Sequence, residues 1–145
     1  MGTKRALEGV KIIDFSWNVA APLATRFLAD FGAEVIKIEC HARPDEIRML
    51  TPFKDDIAGV NRSGYFANLN TNKYDITLNL NDSRAVEIAK RLVRGADVVI
   101  EAFVPGTMKK WGLDYGELRK VKPDIILVSH TMQGQTGPFA LVPML

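Results

Sequence analysis

Short β-rich runs alternate with helical patterns along this sequence, and the alternation restricts the fold more than any other feature. Five runs are typical of buried strands: residues 11–16, 34–39, 75–80, 97–103 and 124–130. Helical patterns between them predict right-handed crossovers and a doubly wound, mostly parallel α/β sheet. Ligands of such sheets bind at the carboxyl ends of the strands. We therefore expect a site formed by residues 16–21, 39–43, 102–106 and 129–137.

The clearest helix spans residues 83–94. Asp82 or Ser83 can accept its first amide hydrogens, and Gly95 suits a left-handed cap at its end. Its apolar stripe consists of Val86, Ala89, Leu92 and Val93. An earlier helix is predicted over residues 22–33, ended by Gly32, with an apolar face formed by Leu23, Phe27, Leu28 and Phe31. The segment from Cys40 to about Gly64 shows no regular pattern.

Composition indicates one globular domain over residues 1–145. The chain has 145 residues, of which 47% are hydrophobic and 25% charged, enough for a single core. The only cysteine, Cys40, excludes an intramolecular disulfide, and neither a signal peptide nor a long apolar run is present. We therefore expect a cytoplasmic protein without membrane contact. The formal net charge of +2 is mixed in sign along the chain, so no nucleic-acid partner is expected.

The loops do not identify a catalytic group. The first strand-to-helix turn, SWNVAAP, lacks the glycines of a dinucleotide site, although Glu39 stands where an acidic residue would bind a ribose. Val19 and Ala20 in that turn are small enough for backbone amides to approach a ligand, or for tight packing alone. Cys40 and His41 are adjacent and His130 is the only other histidine, so no metal site is expected.

Four stretches in register resemble a known family. They are LEGVKIIDFSWNVAAPLATRFLADFGAEVIKIE, NLNTNKYDITLNL, ADVVIEAFVPGTMKKWGLDYGELRKVKPDIILVS and GQTGP. Together they are similar to the amino-terminal part of the family III CoA-transferases, which include formyl-CoA transferase, carnitine CoA-transferases and 2-methylacyl-CoA racemases. The resemblance implies a Rossmann-like large domain built from both chain ends, a small domain between them, and interlocked homodimers. It identifies this chain as an incomplete large domain that lacks the small domain and the carboxyl-terminal return.

The resemblance also implies which residues contact CoA or acyl-CoA. Seven residues are involved: Asn18, Val19 and Ala20 near the pantetheine and thioester, Asn72 and Lys73 near the nucleotide, Phe103 beside the pantetheine, and Lys110 at the adenosine phosphates. Three positions depart from the family pattern, because Cys40 and Val104 stand where arginine is common and Ala102 where asparagine is common. These departures affect the acyl group that is accepted.

The function implied by the resemblance is CoA exchange between an acyl-CoA and a carboxylic acid, through a covalent intermediate on an aspartate. That aspartate is expected beyond Leu145, so we expect no catalytic residue within this chain and no activity from the chain alone. Two alternatives remain open. The chain is also compatible with a fragment of a 2-methylacyl-CoA racemase, or with a non-enzymatic CoA-binding or subunit-interaction module.

Overall fold

A five-stranded parallel sheet with helices on both faces forms the fold, in a computed structural model that describes residues 4–141. The strands are β1 (Lys11–Asp14), β2 (Glu34–Glu39), β3 (Tyr74–Thr77), β4 (Val98–Glu101) and β5 (Ile126–Ser129). The helices are α1 (Ala20–Asp30), α2 (Gly64–Leu69), α3 (Ser83–Arg94), α4 (Thr107–Lys110) and α5 (Tyr115–Val121). Residues 1–3 and 142–145 of the predicted domain lie outside the described residues.

The strands lie in the order β3-β2-β1-β4-β5, and all four neighbouring pairs are parallel. This order confirms the predicted α/β fold with a doubly wound sheet. The direction of the strand order reverses between β1 and β4. The carboxyl ends of these two strands therefore flank the crevice where doubly wound sheets bind ligands.

Consecutive residues of β1 supply two separate cores. Ile13 packs with Val93 of α3 in the larger core, on one face of the sheet. Ile12 packs with Ala21 and Ala29 of α1 in the smaller core, on the other face. Burial on both faces explains why the strands read as nearly continuous apolar runs in the sequence.

The strands end earlier than predicted, except for β2. β1 stops two residues before the predicted end, and β3, β4 and β5 also stop short of theirs. The residues just past these ends include Trp17, Leu80 and Phe103, which line a cavity instead of pairing with a neighbouring strand. The shortened strands therefore leave space for a cavity at the carboxyl edge of the sheet.

Helix α3 has the predicted bounds. The Asp82 side chain caps it by accepting a hydrogen bond from the Arg84 amide, and Ala89 and Val93 are fully buried. The left-handed cap predicted at Gly95 is wrong, because this residue has a φ of −99°. Its amide instead closes the last turn with a hydrogen bond to the carbonyl three residues earlier.

The apolar face predicted for α1 is wrong in part. Phe27 and Phe31 are 51% and 60% exposed, whereas the buried positions include Ala21 and Ala29, with Leu28 partly buried beside them. The small alanines let the helix lie close to the sheet, and the phenylalanines consequently point to the opposite side. Because α1 packs against the sheet through small side chains, the positions of its large side chains do not show which face is buried.

Helix α2 is an element that the sequence pattern does not predict. Its six residues are too few to show a helical repeat, and two 3₁₀ turns, at Glu46–Met49 and Lys54–Asp56, precede it in the irregular segment. The Ser63 side chain accepts a hydrogen bond from the Phe66 amide and lies within donating distance of the Ile47 and Leu50 carbonyls. Capping therefore stabilises α2 where periodicity gives no signal.

A substitution at the α4–α5 junction tests the larger core. Leu113 is fully buried there, so Leu113→Ala should lower the free energy of unfolding by about 2–5 kcal/mol through lost burial and a residual cavity. Ile88→Ala, at a 42% exposed position of α3, is the control and should cost less than about 1 kcal/mol. Urea unfolding followed by circular dichroism measures both changes. Equal losses would contradict the placement of Leu113 in the core.

Candidate functional site

A cavity of about 440 Å³ opens at the carboxyl edge of the sheet, where the strand order reverses. Segments that follow all five strands form its walls. Four of them are the segments expected from the sequence, and the fifth follows β3. The lining residues are Trp17, Asn18, Ile38, Glu39, Cys40, Arg43, Glu46, Leu78, Asn79, Leu80, Asn81, Ala102, Phe103, Val104, Pro105, Thr107, Trp111, His130, Thr131, Met132 and Ala140. The volume suits a small-molecule ligand.

Three rings, Trp17, Phe103 and Trp111, form one side of the cavity, which we call the aromatic wall. The Phe103 ring centroid lies 5.7 Å from that of Trp17 and 5.3 Å from that of Trp111, both edge to face. Trp111 Nε1 donates a hydrogen bond to Asn81 Oδ1 at 3.2 Å. Buried Glu101 accepts the Phe103 amide through Oε2 at 2.8 Å. The aromatic wall is therefore held in place before any ligand binds.

The turn after β1 contributes Asn18 to the cavity. Asn18 has a φ of 64°, and its amide donates to Asp45 Oδ1 at 3.1 Å. Val19 and Ala20 are exposed beside the cavity but do not line it. The amino terminus of α1 has neither a side-chain cap nor an acidic residue in its first turn. Its first amides therefore remain available to an acceptor.

Lys110 lies in a groove beside the cavity, which we call the basic groove because Arg84 and Arg91 line it too. The basic groove shares three residues with the cavity: Leu80, Asn81 and Trp111. The neighbouring Lys109 lies in a different groove, next to β5. Of these two consecutive lysines, only Lys110 is placed to reach a ligand that extends out of the cavity.

Asn72 and Lys73, the two residues expected near the nucleotide, are not brought to the cavity. Lys73 Nζ donates to Asp14 Oδ2 at 3.2 Å, with two further oxygen acceptors at 2.9 Å, and its side chain is 1% exposed. Burial lowers the pKa of Lys73, and the charge of Asp14 opposes that shift. Asn72 Nδ2 donates to Asp30 Oδ1 at 2.6 Å. Both side chains therefore already have protein partners.

The arginines that follow β2 differ in their availability. Arg48 is buried, donates to Glu39 and Asp75, and stacks 3.5 Å from the centroid of the Phe66 ring. Arg43 lines the cavity with its side chain 74% exposed, and its guanidinium lies 5.6 Å from the Trp17 ring centroid. Arg43 is therefore the arginine in this segment that a ligand can reach, at the edge of the aromatic wall.

Glu39 lines the cavity, but Arg48 occupies its carboxylate. Burial alone would raise the pKa of Glu39, whereas hydrogen bonds from Arg48 and from the Asp45 amide outweigh it and lower the pKa. Burial, together with the negative charge of Glu39, raises the pKa of Asp75 to about 6 despite the nearby Arg48. Glu39 is therefore an internal partner of Arg48 and is not a free acceptor for a ribose.

Neither a metal-ligand cluster nor a helix able to span a bilayer occurs within residues 4–141. No three His, Cys, Asp or Glu side chains in this range converge in a way that could hold a metal ion. None of the helices in the same range combines the length and the apolar character of a membrane span.

The sequence did not indicate every lining residue. Trp111 and the residues of the segment 78–81 were not expected to line the cavity. Trp17 lies in the expected segment 16–21, but it was not named among the residues that contact CoA. The segment 78–81 directly follows a strand, so the rule that identified the other four segments also applies to it. Trp111 follows the short helix α4, and nothing in the local sequence distinguishes it from a core tryptophan.

The fold and the cavity define an α/β protein with a ligand-sized cleft at the switch point of a doubly wound sheet. The sequence profile of CoA-transferase family III matches residues 7–143. The chain belongs to CoA-transferase family III.

Relatives of known name agree with this assignment. Succinyl-CoA:glutarate CoA-transferase of Mus musculus is 42% identical over 137 residues, which cover 94% of this chain and 30% of that protein. Acetyl-CoA:oxalate CoA-transferase of Acetobacter aceti is 39% identical over 140 residues, 97% of this chain and 35% of that protein. The chain spans about one third of the length of these relatives.

Two solved structures share the fold. The Rv3272 protein of Mycobacterium tuberculosis aligns with a TM-score of 0.88 and 37% identity, covering 99% of this chain and 38% of that one. A CAIB/BAIF family protein of Brucella suis aligns with a TM-score of 0.88 and 37% identity, covering 97% of this chain and 37% of that one. The sheet described above is therefore one that family structures contain.

The raised pKa of Asp75 predicts a pH-dependent effect on stability. Because this pKa is about 6, against an ordinary value of 3.8, the folded chain binds more protons than the unfolded chain between these pH values. The contribution of Asp75 to stability therefore falls as the pH rises through that window. We expect Asp75→Asn to gain stability relative to the wild type between about pH 4 and about pH 7.

Urea unfolding of both proteins at the two pH values measures this difference. Asp124→Asn is the control, because a hydrogen bond from Lys122 lowers the pKa of the exposed Asp124. Its stability contribution is lost as the pH falls, so the control should change slightly in the opposite direction. A stability difference for Asp75→Asn that does not vary with pH would contradict the prediction.

Proposed function

We propose that this chain is the CoA-binding part of an acyl-CoA:carboxylate CoA-transferase. The observation that carries the proposal is the cavity at the carboxyl edge, with an aromatic wall on one side, Arg43 at its edge and the basic groove beside it. CoA combines a planar base, several phosphates and a long, mostly apolar arm. The cavity offers a complementary surface for each of these three parts.

The proposed contacts of CoA follow from the positions of the side chains. The adenine meets Trp111 and the segment 78–81 after β3, which offers the apolar side chains of Leu78 and Leu80. The phosphates meet Lys110, whose ammonium group acts as a point charge. The pantetheine arm passes Phe103 and leads the thioester towards Asn18 and the open amides at the start of α1. Val19 and Ala20 contribute through their backbones.

The placement of Asn72 and Lys73 near the nucleotide remains a prediction. The internal hydrogen bonds of Lys73 give that role no support. Arg43 and Lys110 are the cations whose exposure favours a phosphate contact, since both side chains are exposed next to the aromatic wall.

The proposed reaction exchanges CoA between an acyl-CoA and a carboxylic acid. An aspartate attacks the thioester carbonyl, the C–S bond breaks, and CoA leaves as the thiolate while a mixed anhydride forms. The thiolate then attacks the aspartyl carbonyl of this anhydride, which releases the donor carboxylate and leaves an enzyme thioester. The acceptor carboxylate attacks that thioester and expels CoA thiolate, and the thiolate attacks the acceptor carbonyl of the new anhydride to give the product acyl-CoA and the free aspartate. In this proposal, backbone amides at the start of α1 stabilise the oxyanions of these steps, because the Asn18 amide already donates to Asp45.

We propose that the attacking aspartate lies outside these 145 residues. The acidic residues that line the cavity within residues 4–141 are Glu39 and Glu46. Arg48 holds Glu39, and Glu46 lies at the exposed edge beside Arg43. The CoA-transferase names of the relatives favour transfer over racemisation. A homodimeric, cytoplasmic parent protein belongs to the same proposal.

The adjacent lysines give a matched test of CoA binding. We expect Lys110→Ala to weaken CoA binding by about tenfold and to reduce its salt dependence, because a cation next to the phosphates is lost. Lys109→Ala removes the same charge one residue away, in a different groove, and should leave the affinity unchanged. Calorimetric titration of CoA at two salt concentrations measures both effects. Equal weakening by the two variants would show a non-specific charge effect.

A turnover assay tests the position of the aspartate. The 145-residue chain should bind CoA yet transfer none between succinyl-CoA and glutarate, the compounds that name one relative. Formation of glutaryl-CoA, followed by mass spectrometry, would contradict the proposal, and the carboxylate responsible would then lie within this chain. Boiled chain is the control for non-enzymatic acyl exchange.

A further inference from the structure

We propose that Asp45, held by Lys37, is a positioning residue that joins two walls of the cavity and thereby determines its affinity for a CoA thioester. The inference rests on the proposed function for the identity of the ligand. The arrangement itself rests on the contacts described next. Neither Asp45 nor Lys37 lines the cavity, so both act through other residues.

The Asp45 carboxylate is fully buried and accepts hydrogen bonds on both oxygens. Oδ1 accepts the Asn18 amide at 3.1 Å and the Ile47 amide at 3.3 Å. Oδ2 accepts Lys37 Nζ at 3.1 Å, and this ammonium group also donates to the Ser16 carbonyl at 2.7 Å. The side chains of Asp45 and Lys37 are both 0% exposed.

These contacts connect two segments that line the cavity. Asn18, in the turn after β1, lines one side, and Glu39 and Arg43, after β2, line another. The Asp45 side chain holds Asn18, while the Asp45 amide donates to Glu39 Oε2 at 3.2 Å. One residue therefore sets the distance between the two segments, from behind the cavity.

The backbone at Asn18 explains why this turn needs such a partner. Its φ of 64° is in the left-handed region, which is uncommon for a residue other than glycine. The surrounding contacts must maintain this conformation, and the hydrogen bond to Asp45 is one that acts directly on the Asn18 amide. Without it, Asn18 and the adjoining Trp17 lose their fixed position beside the ligand.

A buried ion pair is better suited to positioning than to stabilisation. Desolvation of the two charges offsets most of their attraction, so replacing both partners with neutral groups of similar size can leave stability nearly unchanged. Removing one partner alone would leave a buried charge uncompensated and strongly destabilise the chain. The test therefore removes both charges and varies only the acceptor oxygen.

Two double variants of the 145-residue chain make this comparison. Lys37→Met/Asp45→Asn keeps an oxygen for the Asn18 and Ile47 amides, whereas Lys37→Met/Asp45→Leu has a similar shape and no acceptor. We expect the Asn variant to bind CoA within about threefold of the wild type and the Leu variant about tenfold more weakly, since a buried amide loses its acceptor. Calorimetric titration measures affinity, and urea unfolding checks that both variants are folded.

Hydrogen exchange at the Asn18 amide provides a readout that does not depend on CoA. Faster exchange at this amide in the Leu variant than in the Asn variant supports the positioning role, and equal exchange overturns it. Equal CoA affinity of the two folded variants also overturns it. If the wild type binds no CoA, the proposed function fails. The exchange rates alone then show whether Asp45 positions the Asn18 backbone. Lys37→Met/Asp45→Ala, which also has no acceptor oxygen, replaces a Leu variant that does not fold.

Discussion

Three buried ion pairs on one face of the sheet determine how the connecting segments are placed. Lys37 pairs with Asp45 at 3.1 Å, Arg48 with Glu39 at 2.8 Å, and Lys73 with Asp14 at 3.2 Å. In each pair one partner belongs to the central strands β1 or β2, and the other to the long connection between β2 and β3. Ile47 and Leu69 are buried apolar residues of that connection, but Met49, Leu50, Ile57 and Val60 are exposed. Ion pairs therefore help to hold this connection against the sheet, whereas apolar burial holds α3.

The same ion pairs decide which cations remain for a ligand. A charge engaged in a buried hydrogen-bond network cannot neutralise a phosphate without leaving its partner unpaired, which is costly. Arg48 and Lys73 are engaged in this way, whereas Arg43 and Lys110 are exposed next to the aromatic wall. A count of basic residues near loops does not separate the two groups, because the difference lies in the partners that the fold supplies.

Features that depend on local pattern could be predicted from the sequence, and features that depend on contacts between distant segments could not. Strand positions, the bounds of α3 and the edge of the sheet where the cavity lies follow from periodicity, capping and topology. The exposure of Phe27 and the internal hydrogen bonds of Lys73 do not follow from these features. Phe27 depends on alanines packing α1 closely against the sheet, and Lys73 depends on Asp14, a partner 59 residues away. The resemblance named residues such as Asn18 and Phe103 that line the cavity, but it carried no information about which side chains already have protein partners.

On each side of the strand-order reversal, a backbone amide of the cavity wall donates a hydrogen bond to a buried carboxylate. After β1, the Asn18 amide donates to buried Asp45 at 3.1 Å, and after β4 the Phe103 amide donates to buried Glu101 at 2.8 Å. In both cases a carboxylate behind the cavity fixes the backbone of a residue that lines it. The expected departures from the family pattern at Ala102 and Val104 concern side chains at the surface of the cavity, and not the carboxylates that hold its walls. Buried carboxylates therefore maintain the shape of the cavity, while the side chains that line it form the surface that a ligand would meet.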